Sequence, residues 1–346
     1  MIPAVAIVGS FVVSLVLSGV FVTLAKRVNL WDIPGERSMH TRPTPRGGGL
    51  AIAVIVISYV AYAGMRGDVS PGFALSLGVG GSVVAVVGLL DDFFKLRNGV
   101  RMVVWTATAA SAVYWLGGIP TLSVGTMIVP LGPWGNVLAV VGIVWMVNLY
   151  NFMDGLDGLA AGQAVVVAAG AAILLFMRGA AGLGLVALVL AAAAAGFLVW
   201  NWPPARIFLG DVGSGFIGYS FAILAMASDR GDAVPLVVWA ILLAPFLIDA
   251  TLTVVRRVVM GERWQEAHKT HAYQRAVEAG RTHQGVTQAF LLAGLGLWGI
   301  AWLALTWIAL TIVALVIVLL SLSAVWWQFA VRRVSNLNLR LERGDG

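Results

Sequence analysis

Four polar residues spaced three apart are the first candidates for chemistry in this chain: Asn148, Asn151, Asp154 and Asp157. No Lys, Arg or His lies within residues 102–177, so the two carboxylates have no local counter-charge beside long apolar segments. Such carboxylates are costly unless a cation or a ligand neutralises them. Amide and carboxylate oxygens suit a hard cation such as Mg²⁺ and the hydrogen-bond donors of a nucleotide. A chain of buried polar contacts between helices is the alternative interpretation.

A pair of adjacent aspartates, Asp91 and Asp92, ends the third apolar segment, and Lys95, Arg97 and Arg101 follow it. Adjacent carboxylates repel each other, so both remain ionised only where cations lie nearby. A raised proton affinity of one carboxylate would suit a general base. The pair therefore predicts acid–base chemistry, and a solvated helix end is the alternative.

The segment 34–49 combines His40, Arg42 and Arg46 with three consecutive glycines at 47–49. Backbone amides of glycines at a helix N-terminus can approach an anion closely, and arginine can bind phosphate in a bidentate manner. This segment predicts phosphate binding. A positively charged collar that orients the helix is the alternative.

Two more polar groups lie further along the chain. Asp211 stands between glycines where an apolar segment begins, and there it could cap the start of the helix. His268 and His271 lie one helical turn apart, with Arg275 close by. Two histidines at this spacing could bind zinc, but no third ligand of the usual kind is near and the cluster is cationic. Phosphate binding is therefore favoured.

The elements that position these residues must cross a lipid bilayer. Hydrophobic residues make up 60% of the 346-residue chain, charged residues make up 11%, and the mean hydropathy is +0.92. This balance is too apolar for a water-soluble domain, so we predict an all-α, polytopic integral membrane protein. Cysteine is absent, which excludes disulfides and thiolate metal sites.

Apolar segments of about 20 residues indicate about eleven transmembrane helices. They lie at about 2–25, 48–65, 72–90, 102–118, 134–150, 159–177, 182–200, 213–228, 233–255, 286–304 and 308–330.

The basic residues predict the orientation. When the first segment runs inward, 19 of the 22 Lys and Arg residues lie on the cytoplasmic side, and only Arg66, Arg178 and Arg230 lie outside. By the positive-inside rule the N-terminus is outside and the C-terminus is cytoplasmic. The predicted cytoplasmic loops are at about 26–47, 91–101, 151–158, 201–212 and 256–285.

The longest polar stretch, at 256–284, has too few apolar positions for an independent core, so one membrane domain over residues 1–346 is expected. A cation-coupled membrane transporter is the rival class, because intramembrane aspartates can bind a transported ion. Nearly all charged side chains are predicted at one membrane face, however, and no convincing internal repeat is present, which weakens the transporter interpretation.

Together the loops offer oxygen ligands for Mg²⁺ and cationic side chains for several phosphates. Phosphoryl transfer from a nucleotide diphosphate requires this combination of positioning, charge neutralisation and a metal bridge. An anionic donor from the cytoplasm and a phosphate on a lipid tail would meet at this depth.

The motifs resemble those of the polyprenyl-phosphate N-acetylhexosamine-1-phosphate transferases, glycosyltransferase family 4. The resemblance covers essentially all eleven segments. It rests on Asp91-Asp92 with its downstream basic residues, Asn148-x-x-Asn151-x-x-Asp154-Gly-x-Asp157-Gly-Leu, Phe208-Leu-Gly-Asp211-x-Gly-Ser, and the loop of His268 and His271. It implies dependence on Mg²⁺ (Mn²⁺ is an alternative ion), a UDP-N-acetylhexosamine donor, undecaprenyl phosphate as acceptor, and UMP as the leaving product.

The resemblance also implies residue roles. Asp211 and Asn151 would be the metal ligands, and Asp91 or Asp92 would deprotonate or orient the lipid phosphate. Residues 155–157 would lie beside the uridine. The residues expected to bind substrate are Asp154, Gly155, Leu156, Asp157, Asn148, Lys95, Arg101, His268, His271, Arg275, Arg42 and Arg46.

The loop from Glu36 to Gly49 is similar to the branch that initiates O-antigen, with UDP-GlcNAc or UDP-FucNAc as donor. A peptidoglycan-type translocase is the alternative, but a consecutive His triplet is replaced here by His268-Lys-Thr-His271. The resemblance implies a multi-pass protein of the bacterial inner membrane with its active site facing the cytoplasm, in a lipopolysaccharide or related cell-envelope pathway. A homodimer is compatible with the sequence, and no nucleic-acid partner is expected.

Overall fold

The structure is a computed structural model that describes residues 2–35, 38–262 and 268–332. Parts of the first and last predicted loops, at 36–37 and 263–267, lie outside the described residues, as does the predicted cytoplasmic tail at 333–346. The helices are α1 (Ile2–Arg27), α2 (Leu50–Arg66), α3 (Pro71–Ala74), α4 (Gly81–Phe94), α5 (Asn98–Leu116), α6 (Pro133–Met153), α7 (Leu159–Met177), α8 (Ala181–Asn201), α9 (Gly210–Arg230), α10 (Leu236–Leu242), α11 (Ala244–Val259), α12 (Ala272–Glu278), α13 (His283–Thr306) and α14 (Thr311–Trp327).

The long helices match the apolar pattern. A π-helical segment, Leu75–Gly80, joins α3 to α4, so one continuous helix runs over Pro71–Phe94. Within the described residues eight helices are long and apolar enough to cross a membrane. Helices also cover the remaining predicted segments, with α2 and α5 over the second and fourth. The prediction of an all-α polytopic membrane protein is confirmed, while the count of eleven and the orientation stay predictions.

The ninth segment differs from the straight span that hydropathy predicts. It divides into α10 and α11, which meet at an angle of 85°. Pro245 lies in the first turn of α11, where its missing N–H and fixed φ suit a helix start but would disrupt a continuing helix. The bend separates α10 from the part of the segment that carries Asp249.

Small residues let the helices approach closely beside the polar end of the bundle. A Cβ atom at Gly49, before α2, would lie 2.2 Å from the Cα atom of Gly213 in α9. A Cβ atom at Gly88 in α4 would lie 2.5 Å from the carbonyl oxygen of Asp211. Any larger residue at either glycine would push α9 away, so these contacts fix where α9 begins.

The first loop folds back on the bundle through short strands. β1 (Trp31–Asp32) pairs antiparallel with β2 (Thr44–Pro45), and a separate hairpin of β3 (Thr121–Val124) and β4 (Met127–Pro130) lies before α6. The backbone N–H of Phe208 donates to the carbonyl oxygen of Pro45 at 2.8 Å. The first loop is therefore fastened to the segment that leads into α9.

Two of the three consecutive glycines, Gly48 and Gly49, do not present free amides to an anion as expected. The N–H of Gly48 donates to the carbonyl oxygen of Phe208 at 3.0 Å, and the N–H of Gly49 donates to that of Leu209 at 2.9 Å. Because backbone partners already use both donors, the glycines serve close packing against the start of α9.

Candidate active site

All five predicted cytoplasmic loops contribute residues to one polar region. A cavity of about 230 Å³ lies there, between the ends of α6 and α8 and the start of α9. Its wall includes predicted site residues from three of the loops: Arg46, Asn151, Asp154, Gly155, Leu156, Asp157 and Asp211. The fifth loop supplies Gln274 to the wall. Arg101 of the second loop does not line the cavity but contacts the Asp211 carboxylate. Residues far apart in the sequence thus surround one space.

Three carboxylates share two guanidinium groups beside this cavity. Arg101 Nη1 binds the Asp91 carboxylate and lies 3.0 Å from Asp211 Oδ2. Arg46 binds Asp92, with Nε donating to Oδ1 at 2.8 Å, and its Nη2 lies 4.0 Å from Asp211 Oδ1. When all three carboxylates are ionised, two arginines leave one negative charge uncompensated within this set. A cation is the simplest group that would balance it.

Asp92 is fully buried and positions the start of α9. Its Oδ1 accepts the N–H of Asp211 at 3.0 Å, and its Oδ2 accepts the N–H of Val212 at 3.2 Å. A carboxylate at a helix N-terminus satisfies unpaired amides and interacts favourably with the helix dipole. The cap that the sequence suggested for Asp211 itself therefore comes from Asp92.

The predicted base role of the aspartate pair stays a prediction. Besides its contact with Arg101, Asp91 accepts the N–H of Leu96 at 2.7 Å through Oδ1. Neither Asp91 nor Asp92 lines the cavity wall. In this structure both carboxylates hold other groups in place.

Asp211 and Asn151 offer oxygen atoms to the cavity. The Asp211 side chain is 28% exposed and lines the cavity, and Asn151 lines the same wall while its Oδ1 accepts a hydrogen bond from Ser214. Within the described residues no group of three or more His, Cys, Asp or Glu is arranged to hold a metal by itself. Mg²⁺ often takes only one or two protein ligands and completes its shell with phosphates and waters. The donor set fits such an ion, and the metal role stays a prediction.

The third loop forms one wall of the cavity. Within the described ranges the Asp154 carboxylate has neither a hydrogen bond nor an ion pair. Burial raises the pKa of Asp154 well above its usual range, and the charges of Asp211 and Asp92 raise it further, whereas Arg46 lowers it. No cation within the described residues pairs directly with this side chain, although Arg46 is near enough to act on its pKa.

Contacts from other loops fix the backbone of this wall. Asp157 Oδ2 accepts the N–H of Ala205 at 3.0 Å, which joins the third loop to the fourth. A Cβ atom at Gly155 would lie 2.2 Å from the hydroxyl of Tyr273, so only glycine fits there. That hydroxyl donates to the carbonyl oxygen of Phe152 at 2.9 Å, which joins the third loop to α12.

Several residues expected to bind substrate do not line the cavity. Lys95 and Arg42 are exposed at the surface. Arg275 pairs with Glu278 at 2.9 Å, and the Asn148 amide donates to the carbonyl oxygen of Val144 at 2.8 Å. Those outside the wall are Asn148, Lys95, Arg101, His268, His271, Arg275 and Arg42.

His268 and His271 of the fifth loop have protein partners. His271 is 2% exposed, and its Nδ1 lies 3.4 Å from Asp249 Oδ1, an ion-pair distance without hydrogen-bond geometry. Asp249 also accepts the amides of Ala272 at 2.8 Å and Tyr273 at 3.1 Å. The His268 ring stacks on His271 with 4.9 Å between centroids. Asp249 thus fastens the start of α12 to α11, and phosphate binding by the two histidines stays a prediction.

The environment of His268 predicts a pH effect on stability. Burial, with His271 and Arg257, lowers the pKa of His268 to about 3, although Asp249 acts in the opposite direction. Unfolded histidine titrates near pH 6.5, so between about pH 6.5 and 3 the unfolded chain binds a proton that the folded chain excludes. The contribution of His268 to stability therefore falls as pH decreases through this window. We expect the thermal midpoint of His268→Gln in detergent to fall less between pH 7 and about 4.5 than that of the wild type, and equal slopes would contradict this.

Sequence reasoning missed several residues of the cavity wall, including Asp32, Asn201, Gln274 and His283. Asn201 Oδ1 accepts the N–H of Gly158 at 3.0 Å, and its Nδ2 donates to the carbonyl oxygen of Ile207 at 2.9 Å. A lone amide at the end of an apolar segment, directly before Trp-Pro-Pro, was the available signal.

Comparison with known proteins agrees with the motifs. The family model for glycosyl transferase family 4 matches residues 74–229. The chain is 31% identical over 296 residues to the probable undecaprenyl-phosphate N-acetylglucosaminyl 1-phosphate transferase of Bacillus subtilis (strain 168), covering 83% of this chain and 82% of that protein. It is 33% identical over 315 residues to the decaprenyl-phosphate N-acetylglucosaminephosphotransferase of Mycobacterium tuberculosis (strain H37Rv). This match covers 80% of this chain and 76% of that protein.

A more distant relative extends the match. The undecaprenyl-phosphate alpha-N-acetylglucosaminyl 1-phosphate transferase of Thermotoga maritima is 28% identical over 275 residues, which cover 78% of this chain and 82% of that protein. The resemblance inferred from the motifs is confirmed. The chain therefore belongs to the polyprenyl-phosphate N-acetylglucosamine-1-phosphate transferases of glycosyl transferase family 4.

Proposed function

We propose that this protein transfers an N-acetylhexosamine-1-phosphate from a UDP-sugar to undecaprenyl phosphate at the cytoplasmic face of the bacterial inner membrane. UMP is the second product. The observation that carries the proposal is the cavity in which Asp211, Asn151 and Asp154 meet at the ends of apolar helices. A soluble, anionic donor and a lipid-borne phosphate can both reach such a place.

The reaction is a substitution at phosphorus. An oxygen of the lipid phosphate attacks the donor phosphorus that carries the sugar, and the P–O bond to UMP breaks with its electron pair left on UMP. A phosphate monoester is already substantially dianionic near neutral pH, so direct attack requires no covalent protein intermediate. We therefore favour direct attack.

The chain's own residues bind and orient the reactants. Asp211 and Asn151 would hold Mg²⁺, or Mn²⁺, which neutralises charge on the donor pyrophosphate when bound. Arg46 and Arg101 hold Asp211 in place from two sides. Residues 154–157 form the wall beside the donor, and Asp157 fixes that wall to the fourth loop.

GlcNAc is the sugar that we propose. The names of the Bacillus, Mycobacterium and Thermotoga relatives all specify N-acetylglucosamine. The first-loop motif, with its resemblance to the O-antigen-initiating branch, supports the same donor class. We propose that the product initiates O-antigen or a related cell-envelope polysaccharide, and the excess of basic residues in the inner loops supports a cytoplasmic site.

A donor panel tests this function. Purified protein in detergent is supplied with undecaprenyl phosphate and Mg²⁺, and UDP-GlcNAc, UDP-GalNAc, UDP-FucNAc or UDP-MurNAc-pentapeptide is added. We expect UMP and lipid-linked sugar in equal amounts from UDP-GlcNAc, and loss of both with EDTA. Turnover of UDP-MurNAc-pentapeptide alone would indicate the peptidoglycan-type reaction. Absence of product from every donor would refute the proposal.

A further inference from the structure

His40 is a cavity residue whose chemistry the proposed roles leave unused. It belongs to the first loop, between β1 and β2, and it lines the same cavity as Asp211 and Asp154. Its Nε2 atom is buried and has no hydrogen-bond partner within the described parts of the chain. Nearly all buried polar atoms in proteins have a partner, so this atom requires an explanation.

Packing accounts for the ring but not for this nitrogen. The His40 ring meets Phe208 edge to face, with 4.9 Å between centroids and 67° between planes. An aromatic contact of this kind fixes the orientation of the imidazole and needs no hydrogen bond. The contact leaves Nε2 without a partner, and an oxygen of a molecule in the cavity could supply one.

The neighbours of His40 indicate which part of the donor it would meet. Phe208 comes three residues before Asp211, and its N–H donates to Pro45 at 2.8 Å, beside Arg46. His40 therefore lies on the side of the cavity that carries Asp211 and Arg46. The donor phosphates must lie near Asp211 if that carboxylate holds the metal, whereas the uridine is expected beside residues 155–157.

We propose that His40 Nε2 donates a hydrogen bond to an oxygen of the sugar-1-phosphate half of the donor. Phosphate oxygens are acceptors only, so the ring nitrogen that meets one carries the hydrogen. His40 is thus a donor-binding residue, and the first loop closes the phosphosugar end of the site. This inference rests on the proposed function and adds a specific contact to it.

Two conservative variants separate this contact from a packing role. In His40→Gln the side-chain amide nitrogen can occupy the position of Nε2, whereas in His40→Asn it lies nearer the position of Nδ1. His40→Ala removes both. Each full-length variant is purified with Mg²⁺ present, and calorimetry measures the Kd for UDP-GlcNAc and, separately, for UMP.

We expect His40→Ala and His40→Asn to weaken UDP-GlcNAc binding about tenfold or more, because a hydrogen bond to a charged group is lost. Their affinity for UMP should stay within about twofold of wild type, since UMP lacks the sugar-1-phosphate half. His40→Gln should bind UDP-GlcNAc within about threefold of wild type. If the imidazole had a purely structural role, Gln would not restore donor binding while Asn failed to do so.

Other outcomes overturn the assignment. Equal weakening for UMP and UDP-GlcNAc would place the contact on the nucleotide, and wild-type affinity in all three variants would leave Nε2 to a water molecule. Equal loss in Gln and Ala variants that unfold at the wild-type temperature would mean that the hydrogen bond does not exist. Absence of turnover by the wild type refutes the proposed function, whereas turnover with unaltered donor affinity in His40→Ala refutes only this contact.

Discussion

Asp211→Asn should reduce UMP release by roughly 10³-fold or more while leaving a folded, membrane-inserted protein. The size of the loss follows from removing a charged ligand that acts where charge develops in the reaction. The Asp211 carboxylate faces the cavity and carries the charge that Arg46 and Arg101 leave uncompensated beside Asp91 and Asp92. Asparagine keeps the size of the side chain and removes that charge.

The fold should survive because the contacts that position α9 do not depend on the Asp211 side chain. Asp92 holds the backbone amides of residue 211 and Val212. In the variant, Arg101 can still pair with Asp91, and Arg46 can still pair with Asp92. We therefore expect the unfolding midpoint of the variant to stay close to that of the wild type.

Asp229→Asn is the matched control, because Asp229 lies at the opposite end of the same helix. Its Oδ1 accepts the N–H of Leu236 at 3.0 Å, far from the cavity. Activity of this variant should stay within about threefold of wild type.

Electron paramagnetic resonance of added Mn²⁺ gives a second measurement, in which Asp211→Asn should bind the ion more weakly. Retained turnover and retained Mn²⁺ binding would remove Asp211 from the metal site.

The sequence predicted the position of the site better than its internal contacts. Asp154 could be recognised because an uncompensated carboxylate in an apolar context is conspicuous without any knowledge of the fold. The ion pair of Arg46 with Asp92 could not be recognised in this way, since it joins residues 46 positions apart. Only the close approach of α2, α4 and α9 brings them together, and no local pattern encodes it.

The histidine loop illustrates the same limit. Its cationic composition predicted phosphate binding, which stays a prediction, but it did not indicate that His271 is buried against Asp249. That contact depends on the 85° bend between α10 and α11, which directs Asp249 toward the start of α12. Hydropathy reports the apolar length of a segment and not its direction, so it predicted one straight span. Pro245 was the available signal for the bend.

The ion pair of Arg46 with Asp92 should dominate the stability of this end of the bundle. The Asp92 side chain is 0% exposed and the Arg46 side chain is 19% exposed. Removing one partner of a buried ion pair leaves an uncompensated charge, which costs about 3–5 kcal/mol. We expect Arg46→Met to lower the free energy of unfolding by about that amount, as measured by SDS titration in mixed micelles.

The double variant Arg46→Met/Asp92→Asn separates charge from packing. With both charges removed, the Asn oxygen can still accept an amide of α9, so the double variant should unfold at higher SDS than Arg46→Met alone. A double-mutant cycle compares the wild type, Arg46→Met, Asp92→Asn and the double variant. Its coupling energy should be on the order of 1–3 kcal/mol, because the two residues are in direct contact. Arg42→Met is the control: Arg42 lies in the same loop but is exposed, and its loss should change stability by about 0.5 kcal/mol or less. If Arg46→Met is no less stable than Arg42→Met, the amides of Asp211 and Val212 alone suffice to hold Asp92, and Arg46 is free to turn from the carboxylate toward the donor phosphates.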